Sequence, residues 1–333
     1  MNMKIQLVIF LTAVLISAGS IATFAQTNEA SQRRARESNV PDGTRILRDL
    51  AYIPDGHERQ KLDLYLPRQN EGGGPLPLIV WVHGGAWQAG SKENCRSARF
   101  LKNGYAAASI NYRLSQHAIF PAQIEDCKAA IRFLRANAGK YNIDPDRIGV
   151  WGSSAGGHLV ALLGTTGDVK EFDKGPNLHV SSRVQAVCDY FGPTDLTKMS
   201  DFESTMDHDA PNSPESQLIG GPVQENKEAC GRANPITYVS KDDPPFLICH
   251  GDKDMLVPHN QSVLLNAALK KAGVSVKFHT VKGGGHGFRD AEADRMVQEF
   301  FDKQFKPGKN HRNENISIAG NLVYNRETFA AQN

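Results

Sequence analysis

The sequence predicts an α/β domain whose mostly parallel central sheet carries helices on both faces and a small irregular lid at one end. Three observations point to it. From Leu76 to Phe305, apolar runs of strand length alternate with longer stretches of helical period, the pattern of strand–helix–strand crossovers. Several of those runs are continuously apolar, as strands buried on both faces must be. One of them, ending at Trp151, breaks into Gly152-Ser153-Ser154-Ala155-Gly156 and resumes as a helical pattern through Leu159, Val160, Leu162 and Leu163.

Taken in order, the chain opens with Lys4, an apolar run from Ile5 to Ile16 and the small-residue stretch Ala22-Thr23-Phe24-Ala25. That run is too short to span a bilayer, and residues 1–25 read as a secretory signal cleaved near Ala25. No cysteine follows it to take a lipid, and no later run approaches transmembrane length. The mature chain is therefore expected to be secreted or periplasmic, without stable membrane anchoring. Residues 26–43 are a polar lead-in and 44–306 the α/β domain. Within that domain Ile46–Ile53 and Lys61–Pro67 alternate apolar and polar, as an antiparallel edge with one wet face would. Asp55-Gly56 marks the turn between them, and residues 70–74 form a loop.

Leu76–Val82 and Tyr105–Tyr112 are buried strands, and Ala122–Ala138 is a helix through Ile124, Cys127, Ala130, Ile131, Phe133 and Leu134. Asp144-Pro145-Asp146 ends that segment, and Arg147 opens the next strand. Val184–Phe191, Pro245–Cys249 and Val274–Val281 are further strands, with helices at Ser262–Ala272 and Ala291–Phe305. Between Gly192 and Lys241 the pattern dissolves into Pro, Gly, Ser and acidic residues, so 192–241 is expected to be a lid-like excursion. Residues 307–333 are a polar tail in which Ile316–Ile318 and Leu322–Tyr324 could pair as a hairpin. No internal repeat is evident.

The 333 residues are 40% hydrophobic and 22% charged, ordinary for a globular chain with a sizeable core. The net charge is only +2, and the one short basic patch, Arg33, Arg34 and Arg36, lies in the lead-in. Both facts argue against a nucleic-acid partner. The five cysteines, Cys95, Cys127, Cys188, Cys230 and Cys249, match no zinc spacing. Their odd number leaves at least one thiol free, and Cys188 and Cys249, inside apolar runs, read as buried thiols.

The chemistry begins at Ser154. A strand that enters a helix through Gly152-x-Ser154-x-Gly156 forces the central residue into a strained turn and leaves its hydroxyl at the tip. Such a hydroxyl needs an imidazole to take its proton, and the imidazole needs an acid to fix its tautomer. In an open α/β sheet these partners sit on loops at the carboxyl ends of strands. His286 fits best among eleven histidines, because it follows Val274–Val281 and lies between glycines. His279 is inside a strand, His158 on the nucleophile helix, His57 and His311 in turn or tail, and His250 closes a strand. For the acid, Asp252, Asp254 and Asp195 all follow strand ends, two of them more simply read as turn or helix caps. His83-Gly84-Gly85-Ala86-Trp87 follows a buried strand, with almost no side chains to stop backbone N–H groups from meeting an oxyanion.

These motifs, with Asn111-Tyr-Arg-Leu114, Trp151-Gly-Ser-Ser-Ala-Gly-Gly-His158, His250-Gly-Asp-Lys-Asp254 and Gly285-His-Gly-Phe288, resemble the α/β-hydrolase superfamily from about Leu62 to Phe305. More narrowly, they resemble exported bacterial esterases related to hormone-sensitive lipase and to the Bacteroidetes-type feruloyl esterases. The resemblance implies Ser154 as nucleophile, Asp254 as acid and His286 as base. Gly85, Ala86 and Ala155 would supply the oxyanion N–H groups, and Trp87 and Ser153 would contact substrate. Ala86 stands where the lipase relatives carry a third glycine; the donor survives that change, but the acyl pocket changes shape. Asn111, Tyr112, Arg113 and Asp126 would brace the loop beneath the site. No metal or organic cofactor is implied. The expected substrate is a small-molecule or carbohydrate-linked ester, with short acyl, acetyl or feruloyl groups on plant polysaccharides. Met199, Phe202 and Met206 are candidates for its pocket. An amidase, formamidase or peptidase of the same fold and a non-catalytic binding module are the rival readings.

Overall fold

A computed structural model describes residues 40–68 and 73–306. The expected signal segment, most of the lead-in, residues 70–72 of the loop, His311 and the tail with its expected hairpin lie outside the described residues. An eight-stranded sheet runs in the order β1-β2-β4-β3-β5-β6-β7-β8. Its strands are β1 Arg45–Ala51, β2 Lys61–Leu66, β3 Leu76–Val82, β4 Ala106–Ile110, β5 Ile143–Ser153, β6 Ala186–Tyr190, β7 Phe246–Gly251 and β8 Val276–Val281. The β1–β2 and β2–β4 pairs are antiparallel, and every other pair is parallel.

The helices are α1 Ala122–Ala136, α2 Ala155–Thr165, α3 Pro214–Ile219, α4 Lys227–Ala233, α5 Asn260–Lys271 and α6 Ala291–Phe305, with a single helical turn at Ala138–Tyr141 after α1. Alternation along the strands sorts the core into two layers. Leu78, Val80 and Val82 of β3, with Val150, Val187 and Ile248, meet α1, α2 and α5 on one face. Ile79, Trp81, Trp151, Cys188 and Leu247 meet Met296, Val297, Phe301 and Phe305 of α6 on the other. Asp290 caps α6 by accepting from the Ala293 N–H, and burying each large apolar side chain there contributes about 1.5–3 kcal/mol.

Most element ends fall within about two residues of expectation, and two features differ by more. β5 starts at Ile143 because Leu76 pairs with Ile143 and Leu78 with Ile148; Asp144 to Arg147 bulge out within the ladder, so the Asp-Pro-Asp breaker interrupts the strand without delaying its start. A 3₁₀ segment at Arg96–Asn103, not predicted, buries Ser97, Ala98, Phe100 and Leu101 against β3 and β4. The 192–241 excursion has only short helices, yet it hides Leu196, Met199, Leu218, Val223 and Ala233. All five thiols are free, with Cys188 and Cys249 buried as expected.

Register fixes where the functional loops emerge. Val82 lies beside Gly152, Ser153 beside Tyr190, Tyr190 beside Cys249 and Gly251 beside Val281. The carboxyl ends of β3 and β5 to β8 thus finish along one rim, where open α/β sheets build their sites.

Candidate active site

Ser154 sits between β5 and α2 with φ 56° and ψ −126°, a backbone state that L-residues hold only when their surroundings impose it. The surroundings are visible: a Cβ on Gly152 would lie 2.2 Å from the Gly156 carbonyl oxygen, so the turn closes only with glycine there. The Ser154 N–H donates to the Tyr190 carbonyl (2.9 Å), fastening the elbow to β6.

The three predicted catalytic side chains converge. His286 Nε2 is 3.1 Å from Ser154 Oγ, and His286 Nδ1 is 2.8 Å from Asp254 Oδ2. Asp254 Oδ1 accepts the N–H groups of Leu256 and Val257 at 2.9 and 3.0 Å, while His250 Nε2 stands 3.3 Å from Oδ2. Burial alone would raise the Asp254 carboxyl. Hydrogen bonds from His250 and His286 outweigh it and hold the group well below the usual carboxylate range, so it stays an anion that fixes the imidazole.

The rival acids have other work. Asp252 accepts the Gly283 N–H at 2.6 Å and pairs with Lys282, and Asp195 caps the turn at Leu196–Lys198.

The loop after β3 lies against the nucleophile: a Cβ on Gly84 would be 2.6 Å from the Ser153 carbonyl oxygen and 3.2 Å from Ser154 Cβ. Gly85, Ala86 and Trp87 all take positive φ, at 113°, 54° and 56°. That run carries Gly85 and Ala86 outside any strand, and α2 begins at Ala155, whose N–H a helix start leaves without an intrahelical partner. The geometry suits three backbone donors converging on an oxyanion.

Two neutral histidines brace this loop. Arg59 donates to His83 Nε2 (3.2 Å), which leaves His83 Nδ1–H to donate to the Gly84 carbonyl at 2.7 Å. Burial pushes His83 down to about 4, so it remains uncharged. Its ring stacks on Tyr112, whose hydroxyl donates to the His83 carbonyl. Beneath, Arg113 grips Asp126 through its backbone N–H, Nε and Nη2, and Gln60 completes the carboxylate. Asn111 accepts the Lys92 N–H at 2.6 Å. These are the bracing roles that the motif implied; Arg59 was not legible, because nothing in sequence joins it to a loop 24 residues away.

Trp87 corrects an expectation. It is 1% exposed, and its indole N–H donates to His158 Nδ1 at 3.2 Å. His158 Nε2–H then donates to the Ala233 carbonyl at 2.7 Å, and burial holds the ring neutral at about 4. Trp87 therefore ties the oxyanion loop to α2 and α4 from behind instead of facing substrate; motif proximity signalled involvement but not direction. Ser153 is half-buried at the end of β5, beside Tyr190.

Met199 is fully buried, whereas Phe202 and Met206 are 47% and 37% exposed. Their segment is hooked to the acid loop, since the Met255 carbonyl accepts from Thr205 N, Ser204 Oγ and Thr205 Oγ1 at 2.8, 3.0 and 3.0 Å.

Comparison with known proteins places the chain among esterases of this fold. The BD-FAE family model matches residues 62–269, and the dienelactone hydrolase family model matches residues 230–311. A truncated carbohydrate esterase from gut microbiota superposes with a TM-score of 0.73 at 39% identity, covering 80% of this chain and 98% of that one. An acetyl ester-xyloside bifunctional hydrolase from Caldicellulosiruptor lactoaceticus gives 0.61 at 27% identity, covering 84% and 98%. Esterase LipQ of Mycobacterium tuberculosis is 33% identical over 259 residues, 75% of this chain and 60% of its own length. The chain spans a little over half the length of the curated relatives it matches, 52% to 60% for LipQ and the related LipM and LipC.

Proposed function

The chain belongs to the BD-FAE family, and from that premise we propose that it is an exported serine carboxylesterase acting on carbohydrate-linked esters of short acyl, acetyl or feruloyl acids. The observation that carries the reading is the Ser154–His286–Asp254 relay, at 3.1 and 2.8 Å.

Ser154 Oγ attacks the ester carbonyl as His286 Nε2 takes its proton. The negative oxygen of the tetrahedral intermediate is met by the N–H groups of Gly85, Ala86 and Ala155, each such donor being worth about 10²–10³ in rate. Collapse expels the alcohol, which receives the proton from His286 and leaves an acyl group on Ser154. Water, deprotonated by the same imidazole, attacks the acyl carbonyl and releases the acid. Asp254 keeps Nδ1 protonated throughout and balances the transient imidazolium. The carbohydrate context is supported by the similarity to a gut-microbial carbohydrate esterase and to an acetyl ester-xyloside hydrolase.

Wild type and Ser154→Ala are to be assayed with p-nitrophenyl acetate, methyl ferulate, acetylated xylan and an N-formyl aromatic amine. Ester turnover that falls roughly 10⁶-fold in the variant is expected. Equal turnover by both proteins would sink the proposal, and preference for the formamide would move it to an amidase. Export is checked separately, by finding the mature N-terminus near Gln26 outside the cytoplasm.

A further inference from the structure

We propose that a second pocket, beside the His286 loop, binds an acidic sugar through its carboxylate. The pocket has a volume of about 610 Å³ and is lined by Arg96, Arg99, Lys102 and Arg289 against one carboxylate, Glu93, among the described residues. It shares Gly287 and Phe288 with the His286 loop but includes none of Ser154, Asp254, Gly85 or Ala86.

Three of the four cations have no ion pair among the described residues. Arg99 is committed to Asp294. Arg96 has no carboxylate partner among the described residues; its guanidinium instead lies over three rings, 5.5 Å from Trp81, 5.2 Å from Trp151 and 5.9 Å from Tyr190. That bed is apolar: Trp81, Trp151 and Tyr190 are at most 4% exposed, and the Trp151 Nε1 and Tyr190 hydroxyl atoms are buried without hydrogen-bond partners among the described residues. A cation resting on such a surface is weakly screened on one side and attracts an anion more strongly than one surrounded by water. Arg289 and Lys102 likewise have no ion pair among the described residues and stand exposed on the wall.

The ligand class follows from the walls. Guanidinium groups match a carboxylate in fork geometry, and the half-buried Phe288 provides aromatic surface beside them. The volume lies within the range of about 300–1,000 Å³ typical of small-molecule sites, ample for a ring together with its carboxylate. Phe288 also links the pocket to the catalytic loop, since its ring is 5.4 Å from Phe191, and Phe191 is 4.7 Å from His286. The inference goes beyond the esterase reading and does not depend on it.

Titration of the full chain with sodium glucuronate, glucose and inorganic phosphate, followed by calorimetry and tryptophan fluorescence, tests it. Glucuronate should saturate one site and glucose should not bind. Arg96→Gln and Arg289→Gln should each weaken glucuronate by about tenfold or more, the loss of one charge-assisted hydrogen bond. Arg289→Gln, on the exposed wall, should keep p-nitrophenyl acetate turnover within about twofold of wild type, which separates this site from the esterase chemistry. Equal binding of glucose, unchanged affinity in both variants, or phosphate binding as tightly as glucuronate would each overturn the proposal.

Discussion

Replacing Gly156 with alanine perturbs the site without touching a reacting atom. The added Cβ would stand 2.1 Å from the Val82 carbonyl oxygen and 2.6 Å from that of His83, against a closest tolerable contact of 3.0 Å. The shortfall is 3.0 − 2.1 = 0.9 Å, and both opposing atoms are backbone, so no rotamer change relieves it. Val82 is held by Gly152 on one side and Ile110 on the other, and the first turn of α2 must be the part that moves. Ser154 then shifts by about 1 Å from the oxyanion loop, a displacement that costs on the order of 10² in kcat/KM, or about 2.7 kcal/mol of transition-state stabilisation. The assay is kcat/KM for p-nitrophenyl acetate, beside a thermal melt. The control is Gly231→Ala in α4, where nothing lies within 4 Å of the new methyl. That change should leave kinetics alone and add up to about 1 kcal/mol of stability from helix propensity. Gly156→Ala retaining kcat/KM within about threefold of wild type would refute the argument that this contact sets the Ser154 position.

Asp254→Asn should cut kcat by roughly 10⁴, because an amide cannot hold His286 in the tautomer that accepts the Ser154 proton; Asp252→Asn, which loses its ion pair with Lys282 but keeps an oxygen to accept the Gly283 N–H, should stay within about threefold. Steady-state kinetics of the pair decide between the two aspartates, and a larger loss in Asp252→Asn would reverse the assignment. Asp189 is fully buried, and desolvation pushes its carboxyl up to about 7 against the opposing Gly192 N–H bond. A raised carboxyl stabilises the fold most below its unfolded value near 3.8, and that contribution is lost as pH rises through about 7. Asp189→Asn should therefore gain on wild type across pH 4 to 8 by an amount on the order of 4 kcal/mol, read from urea melts; parallel pH curves for the two proteins would contradict it.

How much could be read before the structure depended on how local the cause was. Leu76–Val82 and Ala291–Phe305 were placed to the residue, because a wholly apolar strand and a capped amphipathic helix carry their own limits. The triad was legible for the same reason: each member follows a strand end in sequence. Arg96–Asn103 was not, since its apolar positions are few and mixed with charges, and only the sheet beneath makes them buried. The direction of Trp87, the neutral state of His83 and His158, and the hook from Thr205 to Met255 depend on chain segments brought together by tertiary packing. No residue pattern reports such contacts. Nor could spacing choose between Asp252 and Asp254, two residues apart; the choice is visible in the Leu256 and Val257 N–H groups that turn one carboxylate inward.

The central claim is that the hydroxyl of Ser154 is a nucleophile driven by His286. Reaction with a fluorophosphonate, followed by intact mass and peptide mapping, tests it most directly. A single phosphonyl adduct on the Ser154 peptide is predicted, with the rate of labelling falling at least about 10³-fold in His286→Ala. No adduct, an adduct on another serine, or equal labelling of His286→Ala would contradict the account.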